Sequence, residues 1–227
     1  MRLEGIRGIR RDKTRRTTLG EGAETERPLD LVERRFKATA PNQLWVADLT
    51  YIRTHAGWVY AAFVIDVFRR RVVGWQTSTN MRTDLALDAL DMGLWQRQRT
   101  GQDVTGLAQR SRSSISSNPL HRAARRADAV ASVGSKGDSY DNALAEAFNS
   151  LFKAEWIRNP VMRPKGGWAS IRDVEITVAE YVDWFNHRRL HGEIGMIPPV
   201  EAEAAYWASQ ATVEYAREDV PVGVGTN

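Results

Sequence analysis

The chain has 227 residues, with 32 Lys and Arg against 28 Asp and Glu and 42% hydrophobic residues, a balance that fits a globular protein with a full core and excludes disordered and fibrous classes. No apolar run nears the roughly 18 residues of a membrane helix. The start has no secretion-signal pattern, and zero cysteines exclude disulfides, thiol catalysis and cysteine-ligated zinc, so a cytoplasmic protein is expected. The formal charge of +4 conceals a division: residues 1–16 carry net +5, residues 107–126 carry five arginines and no acid, and the rest sum to −6.

In chain order, residues 1–40 read as a basic arm or linker, with one short helix around Leu29–Phe36. Such an arm is either a solvated tail or a sequence-independent phosphate binder. Leu44–Ile52, Trp58–Asp66 and Arg71–Thr77 are rich in β-branched and aromatic residues and are joined by turn-like segments, which predicts three antiparallel strands. Thr83 then caps a predicted helix with Leu87, Leu90 and Leu94 on one face. Ala108–Arg126 has five serines, five arginines and almost no apolar periodicity. Order returns with a strand at Ala129–Val133 and a helix from Tyr140-Asp141-Asn142 to about Trp156. A loop at Pro160–Gly167 precedes a last helix over Asp173–His187 with Val178, Tyr181, Val182 and Phe185 on its stripe. The polar tail, 208–227, shows no pattern that assigns it.

Two acids stand out. Asp48 interrupts an apolar strand, where a carboxylate is costly unless it is hydrogen-bonded or binds a cation. Glu146 lies about 200° around its helix from Phe148, away from the apolar stripe and in line with Asn149 and Lys153, as an exposed glutamate or a ligand would.

The stretches Pro41-Asn42-Gln43-Leu44-Trp45-Val46-Ala47-Asp48-Leu49-Thr50-Tyr51 and Val64-Ile65-Asp66-Val67-Phe68 resemble the catalytic core of OrfB-type insertion-sequence transposases, in the superfamily of retroviral integrases. So do Gly137-Asp138-Ser139-Tyr140-Asp141-Asn142-Ala143-Leu144-Ala145-Glu146, Tyr181–Asn186 and Arg188–Gly192. The resemblance implies an α/β ribonuclease-H-like core over residues 41–207, a mixed five-stranded sheet flanked by helices. It also implies an Asp-Asp-Glu site holding Mg²⁺ (or Mn²⁺), with Asp48 and Glu146 as first and last acids, catalytic and metal-binding, and Asp66 as structural. Two metals on carboxylates suit in-line phosphoryl displacement. Expected partners are element-end and target DNA, with homo-oligomers or other transposase subunits and no membrane.

The pattern breaks at its second aspartate. Counting back from Glu146 with 35 residues intervening lands on Arg110, and no carboxylate lies between Asp103 and Asp128. An arginine there repels a divalent cation. Asn118–Arg126 can be encoded so that reading one base later gives Ile-Arg-Tyr-Thr-Glu-Arg-Leu-Ala-Glu, a family-like amphipathic helix. Asp103 and Asp128 are the nearest substitutes, each several residues out of register. Residues 108–126 are therefore expected to be translated out of frame, the alternative being a divergent loop; the loss weakens the metal site and impairs catalysis. The family's helix-turn-helix segment is represented only by its end, so DNA contact is expected from Arg10, Arg11, Lys13, Arg15 and Arg16. Arg188 and Arg189, after the last helix, are either favourable helix-end charges or further backbone contacts. Rival readings are a non-catalytic DNA-binding remnant and a ribonuclease-H-like nuclease.

Overall fold

The computed structural model describes residues 38–81, 83–102, 104, 108–111, 130–133 and 143–218. The basic arm, the stretch 112–129, the helix start at Tyr140–Asn142, the Thr83 side chain and residues 219–227 lie outside this description.

Strands β1 (Leu44–Thr54) and β2 (Gly57–Asp66) form an antiparallel hairpin in register from Trp45↔Asp66 to Thr54↔Gly57. Gly57 takes φ 124° at the turn, a conformation that favours glycine, and the Thr54 hydroxyl donates to its carbonyl at 2.7 Å. Strand β3 (Val72–Ser78) continues the meander beside β2, and helix α1 (Thr83–Arg99) follows. Strands β4 (Ala108–Ser111) and β5 (Val130–Val133) extend the sheet in parallel on the other side of β1, giving the order β3-β2-β1-β4-β5. Helix α2 (Ala143–Phe152) runs on through a π-helical turn at Lys153–Ile157. Helices α3 (Ile171–His187) and α4 (Pro199–Glu218) complete the chain. None of the described helices is long and apolar enough to cross a membrane.

Strands buried on both faces read as near-continuous apolar runs, which is why β1 and β2 were legible. Val46, Ile52, Phe63 and Ile65 face one core with Phe148, Phe152, Tyr181 and Phe185 of α2 and α3. Trp45, Ala47, Val64 and Val73 face another with Leu85, Ala89, Leu90 and Leu94 of α1. The inward stripe of α1 is Leu85, Ala86, Ala89, Leu90, Gly93, Leu94 and Arg97, with Leu87 only half-buried at its margin. Two of these are invisible to an apolar reading, Gly93 because it is small and Arg97 because it is charged.

α1 lies close on β3 because Gly74 has no side chain. A Cβ there would sit 1.9 Å from the Ala89 carbonyl oxygen, a backbone atom with no freedom to retreat. Gly74→Ala is therefore expected to destabilise by about 1–3 kcal/mol, the usual cost of overpacking. A urea unfolding midpoint unchanged by this substitution would show that α1 is free to move away.

Where the sequence predicted Arg71–Thr77, Ala129–Val133 and Asp173–His187, the elements begin or end within two residues of those bounds. β4 and α4 are additions. AQRS has no strand composition, and pairing to β1 and β5 makes it one.

Candidate active site

Asp48 sits half-buried in mid-β1, on the α2 side of the sheet. Its Oδ1 accepts from the Leu49 amide at 2.9 Å and its Oδ2 from the Asn149 side-chain amide at 3.0 Å. Asn149 is one helical turn beyond Glu146, a half-buried residue in the first turn of α2, so the helix flank that touches Asp48 also carries Glu146. Lys153 stands a further turn along, its Nζ 4.5 Å from the Tyr51 ring centroid. Burial, and then the charge of Arg158, hold its ammonium below the ordinary lysine range, while Asp48 opposes them. The sequence-predicted acids are thus brought to one face, with Asn149 as the link.

Among the described residues no third acid joins them. β4 pairs with β1 from Leu44↔Ala108 to Ala47↔Ser111, so the strand that runs up to the residue before Asp48 carries Gln109, Arg110 and Ser111. Among the described residues no group of three or more His, Cys, Asp or Glu side chains could hold a metal ion. A pair of Mg²⁺ ions needs hard oxygen ligands shared between them. Two acids beside an arginine-bearing strand do not fit that requirement.

Asp66 has another role. It is buried, and its Oδ2 accepts from the Asn42 amide at 2.8 Å and from Trp45 Nε1 and Arg97 Nη2 at 3.3 Å each, while Oδ1 accepts from the Phe68 amide at 3.0 Å. Arg97 also forks onto Glu203 of α4, Nη1 to Oε1 and Nη2 to Oε2, the latter at 2.9 Å. Arg71 adds a bond to Glu203 Oε1 at 3.1 Å. Burial pushes the Asp66 carboxyl up, against the amides of Asn42 and Phe68 and the charge of Arg97. Burial raises Glu203 as well, but the hydrogen bond and charge of Arg97 outweigh it and hold that carboxyl below its ordinary value. The resemblance's structural Asp66 is the end of a buried ion network.

Arg10, Arg11, Lys13, Arg15 and Arg16 lie outside the described residues. Arg188 is exposed and pairs with Asp183 at 3.1 Å. Arg189 turns inward: Nε lies 3.1 Å from both Glu155 oxygens and Nη2 is 2.7 Å from Oε1. Tyr181 donates to the same carboxylate at 3.1 Å. The structure thus engages Arg189 in holding the π-turn against α3.

Arg189 also donates to His191 Nδ1 at 3.3 Å, which directs the other ring nitrogen, 3.4 Å from the Phe185 carbonyl, to donate there. Burial, then the charges of Arg189 and Arg70, hold this imidazole below its ordinary value against the Phe185 carbonyl and Glu155. The unfolded chain takes its proton near pH 6.5 and the folded chain only at lower pH. This contribution to stability is therefore full above about pH 6.5 and falls as pH drops through it. Urea midpoints should decline from pH 7.5 towards 5.5, and His191→Gln should flatten that decline.

A five-stranded sheet of this order, with an acid in its first strand and a glutamate on the flanking helix, defines the ribonuclease-H-like class of integrase cores. Solved structures agree on the fold. The simian T-cell lymphotropic virus intasome in complex with PP2A regulatory subunit B56 gamma matches with TM-score 0.58 at 12% identity, over 80% of this chain and 60% of that one. The HTLV-2 integrase catalytic core domain in complex with magnesium matches with TM-score 0.52 at 10% identity, over 74% and 99%. Integrase core domain family models match residues 38–108 and 129–199, leaving 109–128 between them. The transposase assigned to insertion sequence element IS986/IS6110 of Mycobacterium tuberculosis (strain H37Rv) is 48% identical over 210 residues, 91% of this chain and 73% of the relative. The transposase for IS629 of Shigella sonnei is 43% identical over 209 residues, 92% and 67%. The chain belongs to the insertion-sequence transposases of the integrase-core family.

Proposed function

We propose that this transposase engages element-end and target DNA but is deficient in strand cleavage and joining, because its active site has lost the second acid. The register of β4 carries this reading: the strand beside β1 bears Arg110 opposite Val46 and Ser111 opposite Ala47, the residue before Asp48, with Arg112 next in sequence. Asp48, oriented by Leu49 and Asn149, and Glu146 are the acids that remain. Together they hold Mg²⁺ or Mn²⁺ weakly, and Arg110 adds repulsion.

The two family-model matches stop and resume around 109–128, which supports an out-of-frame origin for that interval. The nucleotide sequence decides it: paired insertion and deletion on either side of codons 108–126 is expected, and an uninterrupted alignment to an intact relative would refute it. The basic arm and Arg188 supply non-specific phosphate contacts in the cytoplasm. Association with a second copy, or with intact transposase subunits, is the route by which such a chain still affects transposition. A duplex carrying terminal repeats, incubated with the chain and Mg²⁺, should be bound without being nicked or joined. Cutting of an RNA–DNA hybrid would instead favour the nuclease reading.

A further inference from the structure

The body of the chain is acidic in sum, yet one end of it is not. From Leu49 to Phe63 and from Trp156 to Arg172 the sequence has no Asp or Glu, and it places Arg53, Arg158, Arg163, Lys165 and Arg172 there. The fold brings these two stretches together. The turn of the β1–β2 hairpin is tied to the loop before α3 by His55 N to the Trp168 carbonyl at 2.9 Å and Ala56 N to the Ala169 carbonyl at 3.1 Å. The His55 ring lies 2.7 Å from the Gly166 carbonyl. Gly167, at φ 96°, leaves room for both partners: a Cβ there would meet the Arg163 guanidinium at 3.1 Å and the His55 ring at 3.7 Å.

Aromatic surface lies open on the same hairpin. Trp58 is 48% exposed and Tyr51 42%, and their rings meet edge to face at 5.3 Å. Arg53, the cross-strand partner of Trp58, lies 5.9 Å from its ring, and Lys153 Nζ lies over the Tyr51 ring. Soluble domains seldom leave an indole and a phenol open together without a use. One acid is close, Asp173, whose carboxylate is taken up by the Ala169 and Ser170 amides at 2.8 and 3.0 Å. Exposed rings interleaved with cations are the chemistry that single-stranded nucleic acid requires: a π-face for a base and positive charge for the backbone.

We propose that the hairpin tip and the 158–170 loop form a platform for a short unpaired stretch of DNA. The Trp58 indole stacks on a base while Arg53, Arg163 and Lys165 hold flanking phosphates. Tyr51 follows Asp48 by three strand residues, about 10 Å, and so points to the opposite face of β1; Lys153, whose ammonium lies against the Tyr51 ring and feels the Asp48 charge, links the platform to the candidate active site. This rests on the reading that the chain engages DNA, and it adds the form of DNA taken and the residues that take it.

The test uses the full chain and fluorescent duplexes, one blunt and one with an unpaired thymine tail carrying 2-aminopurine. The tailed duplex should bind about tenfold more tightly, within the range for one stacked base, and the 2-aminopurine emission should change on binding. Trp58→Leu should erase the preference and the emission change, and Trp58→Phe should retain part of both. Arg163→Gln with Lys165→Gln should lower the salt slope of tail binding by about 1.4, with unfolding midpoints unchanged. Equal binding of blunt and tailed duplexes, a preference that survives Trp58→Leu, or tighter binding of an RNA tail would overturn the platform and leave the DNA reading intact. Failure to bind any duplex at low salt would overturn both.

Discussion

A chain whose codons 108–126 are returned to the alternative frame should join DNA strands in Mg²⁺ about 10³-fold faster than the chain as it stands. The magnitude follows from the role assigned to the missing acid. Metal-held charge stabilisation at a transferring phosphoryl group contributes several kcal/mol, and each 1.36 kcal/mol is a factor of ten in rate. Restoring the frame removes Arg110 from the strand beside Asp48 and returns a family-like segment to the sequence. Asp48→Asn in the restored chain should erase the gain, since Asp48 is the acid that the resemblance puts first on the metal ions. Asn149→Ala should reduce it less, because Asn149 orients Asp48 without supplying charge. Joining by the unaltered chain at the restored chain's rate would contradict the proposed deficiency.

Arg97→Met should destabilise the fold by about 3–5 kcal/mol, the cost of leaving buried carboxylates without their cation. Asp66, Arg97 and Glu203 are 1%, 2% and 2% exposed, so water is not positioned to take over. For a domain of ordinary stability that is a large fraction of the total. Replacing Asp66, Arg97 and Glu203 together by apolar residues of similar size should recover most of the loss, because the desolvation cost disappears along with the attraction. Urea unfolding of the single and triple variants measures both effects. A loss under about 1 kcal/mol for Arg97→Met would mean that the pairings are not formed in solution.

The sequence was readable where composition and position agree. β1, β2 and β3 bury aromatic and β-branched residues on two faces, so their apolar runs marked them, and the hairpin turn followed from Gly57. β4 could not be read this way, since Ala108-Gln109-Arg110-Ser111 becomes a strand only through the partners on either side. α4 was missed for a related reason: its buried positions include Glu203, which an apolar-stripe reading assigns to solvent. Arg97 hid in α1 likewise, although its spacing from Leu90, Gly93 and Leu94 puts it on the inward row. Asp48 and Glu146 were singled out through resemblance, because periodicity gives either one an ordinary explanation. Asn149 could have been found from its place one turn after Glu146. Arg189 was set among DNA contacts because nothing local shows that Glu155, 34 residues earlier, turns to meet it.

The ion network and the sheet have a consequence for chain continuity. Residues before the unmatched interval 109–128 and residues after it are fastened by contacts that do not pass through it. Phe63 packs on Phe148 and Phe152, and Arg97 holds Glu203. A protease cut within 112–129 should therefore leave two fragments that stay bound to each other, and the separately expressed pieces should reassemble as a split protein. Such a fold tolerates change in the connecting interval, so an error in reading frame there would leave the scaffold in place.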